Sequence, residues 1–418
     1  MFSYGLIGKK LGHSYSKDIH HKLGNLEYEL KELDENEFSF FMKEKSFKAI
    51  NVTIPYKQDV MKYLDYIEED AKAIGAVNTI VNDNGVLKGY NTDILGLEYI
   101  IDKAKISLYD KKVLILGTGG TSFTVKQLCK KYNVKNSYKV SRTNSNDKDI
   151  ITYDDAKDRY NDFDIIINTT PSGMYPNIYD KPMDISFMTN LEAIVDVIYN
   201  PLRTLLRLEA DNKNIKAING LYMLVAQAVF ADGIFFNREC QYDKIESIYK
   251  ELLQSKLNIC LIGMPFSGKS TVGRLLSKKL NKEFVDVDEY ITEKYNSTPA
   301  NIITEKGEQY FRDIETEAVK DIAIASNSII ATGGGSILRE ENVNRLKMTS
   351  LVVYIKRDKP IFSDDRPLAA NKEMYDELLK KRKPIYEKSA DIIVDNNGDA
   401  EDCVDMIIDK YNNNEIIF

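Results

Sequence analysis

The chain has 418 residues, more than one hydrophobic core usually serves, so we expect two or three domains. Its apolar fraction of 43%, charged fraction of 29% and formal net charge of −7 are those of an ordinary globular protein and argue against nucleic acid as a ligand. The longest apolar stretch, residues 221–236, is too short to span a membrane and predicts a buried helix. The N-terminal MFSYGLIGKK lacks the features of a secretory signal, so we expect a cytoplasmic protein.

Short apolar runs alternate with helical patterns along the whole chain. They are VLILG at 113–117, DIIIN at 164–168, AIVDVIY at 193–199, ICLIG at 259–263 and LVVYI at 351–355. Strands buried on both faces have such continuous apolar sequences, which predicts an α/β fold with parallel sheets. Between residues 245 and 253 apolar side chains recur at helical spacing, which predicts an amphipathic helix that joins two halves of the chain.

Residues 113–128, VLILGTGGTSFTVKQL, are typical of the strand, glycine-rich turn and helix that bind a dinucleotide. Gly117 and Gly119 fit the GxGxxG pattern, but Ser122 stands at the third glycine position. The next predicted strand ends in SRT, without the acidic residue that would bind the ribose hydroxyl of NAD. An arginine at this point suits a 2′-phosphate, so Arg142 favours NADP(H), and the alternative is a solvent-facing loop arginine.

Residues 263–270, GMPFSGKS, fit the phosphate-binding pattern GxxxxGK[ST] and lie between a predicted strand and a predicted helix. The glycines let backbone N–H groups surround phosphate oxygens. Lys269 offsets charge on the β and γ phosphates of ATP, and the Ser270 hydroxyl binds Mg²⁺. The alternative, a plain glycine-rich turn, is disfavoured by the flanking strand and helix.

Two further features follow this phosphate loop. Asp286 and Asp288 are two residues apart at a predicted strand end, so we expect their side chains on one face, one near Mg²⁺ and the other near a substrate hydroxyl. A simple turn is the alternative for this pair. The three glycines at 333–335 either let a ligand contact the backbone or form only a flexible turn.

Residues 1 to about 242 resemble the shikimate dehydrogenase family. The segments that carry the resemblance are GHSYS (12–16), NVTIPYK (51–57), GAVNTI (75–80), GYNTDILG (89–96), GTGGTS (117–122), INTTPSGM (167–174), DVIYNPLRT (196–204) and NGLYMLVAQA (219–228). The resemblance implies that Lys57 and Asp93 form the catalytic pair. A protonated lysine can donate a proton to a carbonyl oxygen when hydride reaches the carbon, and a carboxylate can hold that lysine.

The same resemblance implies two sets of binding residues. The substrate set is Ser14, Ser16, Thr53, Asn78, Asn91 and Gln227. The NADP(H) set is Gly117, Gly119, Gly120, Thr121, Ser141, Arg142 and Thr143. The family usually has Asn at the position of Ser141 and often a second basic residue shortly after Arg142, where this chain has Asn144, Ser145 and Asn146.

Residues 257–418 resemble shikimate kinase, a P-loop enzyme of the nucleoside-monophosphate-kinase type. The phosphate loop, DVD, FRDIE (311–315), TGGGS (332–336), DRPL (365–368) and RKPIY (382–386) carry the resemblance. It implies a shikimate set of Asp288, Arg312, Gly334, Gly335 and Arg382, an ATP set of Gly263, Ser267, Gly268, Lys269, Ser270 and Thr271, and an Mg²⁺ set of Ser270 and Asp286. The implied catalytic residues are Lys269, Asp288 and Arg366, the last on a lid over ATP.

Both arginines of the shikimate set have plainer alternatives. The spacing of Arg312 and Glu315 also suits a surface ion pair on a helix, and Arg382 lies in a basic run that solvent could surround. The resemblance instead places both guanidinium groups on the substrate carboxylate, whose geometry they match.

Together the resemblances predict a bifunctional enzyme of aromatic amino acid biosynthesis that reduces 3-dehydroshikimate and phosphorylates shikimate. Its expected parts are an α/β substrate domain (1–92, with returning helices 219–242), a Rossmann NADP domain (93–218), a helical connector (243–256) and a P-loop kinase α/β domain (257–418). The expected ligands are small molecules, with no nucleic acid or membrane partner. The alternatives are an inactive regulator that binds shikimate-pathway metabolites, and a dehydrogenase that acts on quinate.

Overall fold

The computed structural model describes residues 2–12, 14–358 and 372–412 and divides the chain into two compact units. The first comprises Met1–Asn200 and Thr204–Glu251, and the second comprises Pro201–Arg203 and Leu252–Phe418. In the part of the chain that is described, no helix combines the length and the apolar character needed to cross a bilayer.

The first unit begins with a mixed six-stranded sheet in the order β2-β1-β3-β5-β6-β4. Its strands are β1 (Tyr4–Gly8), β2 (Tyr28–Glu32), β3 (Ala49–Val52), β4 (Tyr66–Ile67), β5 (Thr79–Asp83) and β6 (Val86–Tyr90). Its helices are α1 (Ser16–Lys22), α2 (Glu35–Glu44), α3 (Glu69–Ile74) and α4 (Thr92–Lys103), with a 3₁₀ helix at Asp59–Tyr63.

This sheet differs from the parallel sheet that the apolar runs predict, because β5 runs antiparallel to both β3 and β6. The connection from β5 to β6 is the dipeptide Asn84-Gly85, and both residues have positive φ, +53° and +94°. A two-residue hairpin turn of type I′ needs positive φ at both central positions, and Asn-Gly meets that need at low cost. As a result, β5 starts at the edge of the sheet where β3 and β6 end.

The second sheet of this unit is entirely parallel, with the order β9-β8-β7-β10-β11-β12. Its strands are β7 (Lys112–Leu116), β8 (Asn136–Ser141), β9 (Ile150–Thr152), β10 (Ile165–Asn168), β11 (Ala193–Asp196) and β12 (Lys216–Ile218). Its helices are α5 (Gly120–Lys131), α6 (Tyr153–Asp158) and α7 (Leu205–Asn212), with a 3₁₀ helix at Tyr160–Asp162. This is the doubly wound order of dinucleotide-binding domains, so the predicted Rossmann fold is confirmed.

Two helices follow the second sheet. They are α8 (Leu221–Phe235) and α9 (Tyr242–Lys256). Most side chains of α8 are buried, as its continuous apolar sequence predicts. The division between the two units falls inside α9, between Glu251 and Leu252.

The second unit contains a five-stranded parallel sheet in the order β14-β15-β13-β16-β17. Its strands are β13 (Asn258–Ile262), β14 (Glu283–Asp286), β15 (Ser328–Ala331), β16 (Ser350–Lys356) and β17 (Ile392–Asp395). Its helices are α10 (Lys269–Leu280), α11 (Val287–Tyr295), α12 (Pro299–Lys306), α13 (Glu308–Ala323), α14 (Glu340–Thr349), α15 (Lys372–Ser389) and α16 (Ala400–Asn412), with a 3₁₀ helix at Ser336–Leu338. The central strand β13 is the one that leads into the phosphate loop.

The predicted strand register of Asp286 and Asp288 is wrong. The strand β14 ends at Asp286, and Asp288 already lies in the first turn of α11. The Asp286 carboxylate caps this helix by accepting a hydrogen bond from the backbone N–H of Asp288 at 2.9 Å. Aspartate is among the best helix N-caps, and this local hydrogen bond ends the strand two residues earlier than the alternating pattern suggests.

Candidate active sites

The mixed sheet gathers several predicted residues at one edge. Lys57 follows the end of β3, Asn78 precedes the start of β5, and Asp93 follows the end of β6. The register pairs Asn51 with Thr79 and Thr79 with Tyr90 across the three neighbouring strands. Because β5 is antiparallel, its start lies beside the ends of its neighbours, and the three functional groups converge.

The side chains of Lys57 and Asp93 are in direct contact. The Lys57 Nζ lies 2.6 Å from Asp93 Oδ2, and Asn78 Nδ2 donates to Asp93 Oδ1 at 2.9 Å. Asp93 also lies in the first turn of α4, where the helix dipole favours a negative charge. Lys57 keeps 27% of its side chain exposed and Asp93 keeps 13%, so the pair is held firmly yet remains reachable from solvent.

The remaining predicted substrate residues lie on other segments of the first unit. Ser14 and Ser16 follow β1, and the Ser14 hydroxyl accepts from the backbone N–H of Ser16 at 3.2 Å. Thr53 follows β3 directly. Asn91 is buried and caps α4, accepting from the Asp93 N–H at 3.1 Å and donating to the Ala76 carbonyl.

Gln227 lies on α8, which packs tightly along α4. A Cβ atom added to Gly96 of α4 would lie 2.9 Å from the Met223 carbonyl oxygen and 3.2 Å from the Gln227 Cβ. Only glycine allows this approach, one helical turn after Asp93. The close packing brings Gln227 towards the helix that carries Asp93.

Two residues near this edge were not singled out by the sequence. Asn51 accepts from the Tyr28 hydroxyl at 2.8 Å and donates to the Asn78 carbonyl at 3.2 Å, which supports the segment that carries Asn78. Tyr199 packs edge-on against Tyr15, the residue between the two predicted serines, at 5.8 Å between ring centroids. A polar residue within a buried strand was the available signal for Asn51. Tyr199 lies in one of the family segments, but no local pattern distinguishes it.

The predicted dinucleotide loop connects β7 to α5. Gly117 has a φ of +102°, and a Cβ atom there would press on Thr169 at 3.0 Å. Gly119 and Gly120, at the start of α5, have open space where a side chain would be, so a phosphate can approach the helix N-terminus. Ser122 turns inward and donates to the Gly119 carbonyl at 2.7 Å, which explains why this position tolerates serine.

The predicted residues for the cofactor phosphate lie at the end of the neighbouring strand β8. The Ser141 hydroxyl accepts from the Thr143 N–H at 3.1 Å, forming a compact turn, and Arg142 between them is exposed. Thr121 lies in the first turn of α5. Open glycines beside an available guanidinium fit the pyrophosphate and 2′-phosphate of NADP(H).

The loop after β11 begins with a buried carboxyl group. Asp196 accepts from the Thr204 hydroxyl at 2.6 Å, from the Asn168 amide at 3.0 Å and from the Ile198 N–H at 3.2 Å. Burial raises the pKa of this carboxyl to about 6, because these neutral donors compensate only part of its desolvation. These hydrogen bonds tie together the two ends of the loop that carries Tyr199.

The phosphate loop of the second unit connects β13 to α10. Gly268 has a φ of +89°, and a Cβ atom there would collide with Asn396 Nδ2. The Lys269 ammonium donates to the carbonyls of Gly263 and Met264 at 3.0 and 2.8 Å, so it lies across the loop. The hydroxyl of Ser267 is buried and has no hydrogen-bond partner among the described residues, as expected of a group positioned for a phosphate oxygen.

Two oxygen ligands suited to Mg²⁺ lie beside this loop. The Ser270 hydroxyl donates to Asp286 Oδ2 at 2.6 Å, and Ser270 belongs to the first turn of α10. A hydroxyl and a carboxylate next to bound phosphates are what Mg²⁺ requires, since it takes few protein ligands and keeps several waters. Thr271 follows on the exposed face of the same helix.

A cavity of about 490 Å³ adjoins the phosphate loop. Its lining includes all five residues of the predicted shikimate set: Asp288, Arg312, Gly334, Gly335 and Arg382. A volume in this range suits a small polar ligand. The two guanidinium groups in its wall favour an anionic group on the ligand, and carboxylates such as Asp288 can accept hydrogen bonds from hydroxyl groups.

The plainer interpretations of the two arginines do not hold. Arg312 does pair with Glu315, at 2.6 Å, but both side chains are buried, and Glu315 also accepts from the Ser336 hydroxyl at 2.5 Å. Arg382 is buried although Lys381 and Lys383 beside it are exposed, and it donates to the Gly334 carbonyl at 3.0 Å. Glu315 is therefore a further residue of the cavity wall, which the sequence suggested only as a surface partner.

The predicted catalytic Arg366 lies outside the described residues. Within the described ranges, no cluster of three or more His, Cys, Asp or Glu side chains is arranged to hold a metal ion. The two Mg²⁺ ligands predicted from the sequence are instead a hydroxyl and a single carboxylate.

Two family models match the chain. One, described as the shikimate dehydrogenase substrate binding domain, matches residues 6–80, and the other, described as shikimate kinase, matches residues 265–412. A shikimate dehydrogenase (NADP(+)) of Clostridium beijerinckii is 41% identical over 255 residues, which cover 57% of this chain and 93% of that protein.

Solved structures of shikimate dehydrogenases are also similar to the first part of the chain. A chorismate mutase/shikimate 5-dehydrogenase fusion protein from Clostridium acetobutylicum is similar with a TM-score of 0.56 and 35% identity, over 60% of this chain and 97% of that one. A shikimate 5-dehydrogenase from Listeria monocytogenes, crystallised with shikimate and NAD, has a TM-score of 0.53 and 27% identity, over 59% and 96%.

The fold and the two sites define a dinucleotide-dependent dehydrogenase followed by a P-loop kinase. The chain belongs to the shikimate dehydrogenase family, and its C-terminal part is a shikimate kinase domain. The predicted family membership, the α/β fold and the enzymatic character of both parts are confirmed.

Proposed function

We propose that the chain catalyses two consecutive reactions, the NADPH-dependent reduction of 3-dehydroshikimate to shikimate and the ATP-dependent phosphorylation of shikimate to shikimate 3-phosphate. The observation that carries the proposal is the 2.6 Å contact between Lys57 and Asp93, at an edge where three strands present polar groups. The hydroxyl group made by the reduction is the one that the kinase phosphorylates, so the two activities form a sequence.

In the first reaction, NADPH supplies a hydride to the carbonyl carbon of the substrate when it is bound. The Lys57 ammonium donates its proton to the carbonyl oxygen as negative charge develops there, which completes the new hydroxyl group. Asp93 orients the ammonium, and Asn78 fixes the other carboxylate oxygen. Lys57 regains a proton from solvent through the exposed part of its side chain.

The other predicted residues of the first site take binding roles in this proposal. The hydroxyls of Ser14 and Ser16 bind the substrate carboxylate, and the remaining substrate set binds its hydroxyl groups. Gly119 and Gly120 leave room for the pyrophosphate, and Arg142 faces the 2′-phosphate that distinguishes NADP(H) from NAD(H).

In the second reaction, the bond between the β and γ phosphates of ATP breaks and the γ-phosphoryl group bonds to a hydroxyl oxygen of shikimate. Asp288 orients this hydroxyl and accepts its proton, while Lys269 neutralises charge on the phosphates. Mg²⁺, held by Ser270 and Asp286, supplies further neutralisation when it is bound. Arg312 and Arg382 hold the carboxylate of shikimate from the cavity wall.

Separate initial-rate assays test the two halves of this proposal. Oxidation of NADPH should require 3-dehydroshikimate, and formation of ADP should require shikimate and Mg²⁺. The matched variants are Lys57→Ala with Lys62→Ala, and Lys269→Ala with Lys278→Ala, because Lys62 and Lys278 are exposed lysines that follow shortly in the chain. Loss of Lys57 should lower the dehydrogenase rate, and loss of Lys269 the kinase rate, by at least about a hundredfold, whereas the two control variants should leave both rates unchanged.

The alternatives predict different outcomes in the same assays. Faster oxidation of quinate than of shikimate with NADP⁺ would show that quinate is the preferred substrate of the dehydrogenase. A well-folded protein that binds shikimate but supports neither reaction would contradict the proposal and indicate a metabolite-binding regulator.

A further inference from the structure

The carbonyl oxygen of Gly334 lies in a crowded part of the kinase cavity wall. It accepts hydrogen bonds from the Arg382 guanidinium, at 3.0 Å, and from the Tyr386 hydroxyl. A Cβ atom added to Gly334 would lie 2.8 Å from Pro265 of the phosphate loop, and one added to Gly335 would collide with the Arg312 guanidinium. The glycine segment is therefore enclosed between the phosphate loop and both arginines of the cavity.

Tyr386 occupies a distinctive position relative to this segment. It lies one turn after Arg382 on α15, so both side chains project from the same face of the helix. Its side chain is fully buried, and its ring stacks on Tyr354 with 4.9 Å between centroids. Burial raises the pKa of its hydroxyl well above the ordinary value, so the hydroxyl remains a hydrogen-bond donor throughout the working pH range. Tyr386 is not among the described residues that line the cavity.

The hydrogen bonds to the Gly334 carbonyl also affect the backbone N–H of Gly335, because both groups belong to the same peptide bond. The carbonyl of Gly334 and the N–H of Gly335 belong to one planar unit and point in opposite directions. Glycines adopt many backbone conformations, so the orientation of this unit must be fixed by its contacts. Tyr386 and Arg382 together supply a donor for each lone pair of the carbonyl oxygen, which fixes the peptide plane and also restrains the Arg382 guanidinium.

We propose that Tyr386 is a positioning residue for shikimate in the kinase reaction, acting through the Gly334 carbonyl on the glycine segment and on Arg382. This inference rests on the proposed kinase function. Tyr386 touches neither ATP nor shikimate in this scheme. Its hydroxyl selects the single orientation of the cavity wall that is competent to bind the ligand.

The test is the steady-state kinetics of Tyr386→Phe in the full-length enzyme, with shikimate and ATP varied separately. This change removes one hydroxyl and keeps the ring that stacks on Tyr354. We expect the KM for shikimate to rise about five- to tenfold, the loss expected for one hydrogen bond to a buried carbonyl, with the KM for ATP unchanged. KM does not depend on enzyme concentration, so a partly unfolded sample cannot mimic this result.

Tyr354→Phe is the matched control, because it removes a hydroxyl from the neighbouring stacked ring. The described donors to the Gly334 carbonyl are Arg382 and Tyr386, so this change leaves both hydrogen bonds in place. It should leave both KM values unchanged. The inference is overturned if the KM for shikimate is unchanged in Tyr386→Phe, or if the KM for ATP rises equally. It is also overturned if Tyr354→Phe raises the KM for shikimate by the same factor, or if Tyr386→Phe fails to fold. Absence of shikimate phosphorylation by the unaltered enzyme would instead overturn the proposed function.

Discussion

The two candidate sites are assembled in different ways. In the dehydrogenase site, Lys57 contacts a carboxylate 36 residues later in the chain, and Asn78 reaches the same carboxylate from a third segment. In the kinase site, Lys269 lies across the carbonyls of Gly263 and Met264, which are six and five residues before it. The first site therefore depends on the register of a mixed sheet, whereas the phosphate-binding part of the second depends on one strand, loop and helix.

The roles that we propose for the two lysines fit this difference. A proton donor must be held next to the reacting oxygen, so a distant carboxylate and an amide fix its position. A lysine that neutralises phosphates needs only to lie across the loop that already surrounds them. Each activity is consequently a control for the other in the same preparation.

The largest effect is expected from Lys57→Met, which removes the proposed proton donor. The turnover rate of the dehydrogenase reaction should fall by about 10²- to 10⁴-fold, the usual contribution of a positioned acid or base, and the kinase rate should not change. Initial rates of NADPH oxidation measure this, and Lys62→Met serves as the control. Reduction at an undiminished rate would show that the pair at the sheet edge has no part in proton transfer.

Lys269→Met should have the next largest effect, because it removes a charge that stabilises the transferring phosphoryl group. The turnover rate of the kinase reaction should fall by about 10²- to 10³-fold, as when one electrostatic donor is removed from an active site, while reduction continues normally. Initial rates of ADP formation measure this, with Lys278→Met alongside. Equal losses in both activities would mean that the two sites are not independent.

Asp196 should give the first unit a dependence on pH that the second does not share. Its folded pKa of about 6 lies above the ordinary 3.8, so the folded protein binds this proton more tightly than the unfolded chain. The protonated carboxyl therefore stabilises the fold below about pH 4, and this stabilisation is lost as the pH rises through about 6. The free energy of unfolding should fall by about 3 kcal/mol over this interval.

The matched variant is Asp196→Asn, which keeps the shape of the carboxyl group without its charge. As the pH rises through this interval, the temperature of half-inactivation of the dehydrogenase in the unaltered enzyme should fall relative to that of the variant. The kinase activity of the same samples is the control. Identical pH profiles for the two proteins would contradict the role of this buried carboxyl.

The smallest effect concerns the choice of cofactor. Arg142→Ala should raise the KM for NADPH about tenfold and leave the KM for NADH unchanged, because only NADPH carries the 2′-phosphate. Lys148→Ala, an exposed lysine in the same loop, is the control. A parallel rise for both cofactors would assign Arg142 to general dinucleotide binding.

The local parts of both sites could be predicted from sequence patterns, whereas the distant contacts were expected only from the family resemblance. The spacing of GMPFSGKS between an apolar run and a helical pattern predicts a strand, a loop and a helix in the arrangement of a phosphate-binding site. In contrast, nothing local indicates that Lys57 and Asp93 meet, because their contact depends on β5 running antiparallel. The sequence does carry a signal for that direction, Asn84-Gly85 between two apolar runs, but a hairpin turn alone does not show which strands become neighbours.

Burial was the second property that the sequence could not supply. The spacing of Arg312 and Glu315 is the same for a surface ion pair and for the buried pair found here. The strand register predicted for Asp286 and Asp288 was wrong because helix capping overrode alternation. Capping preference competes with strand patterning wherever an aspartate ends a strand, and the sequence alone does not show which prevails.

The two proposed activities are tested together by mass spectrometry of the products formed when one purified protein is incubated with 3-dehydroshikimate, NADPH, ATP and Mg²⁺. We expect shikimate 3-phosphate from the unaltered enzyme, accumulated shikimate from Lys269→Ala, and unconverted 3-dehydroshikimate from Lys57→Ala. Persistence of 3-dehydroshikimate with well-folded unaltered protein would contradict the proposed bifunctional activity.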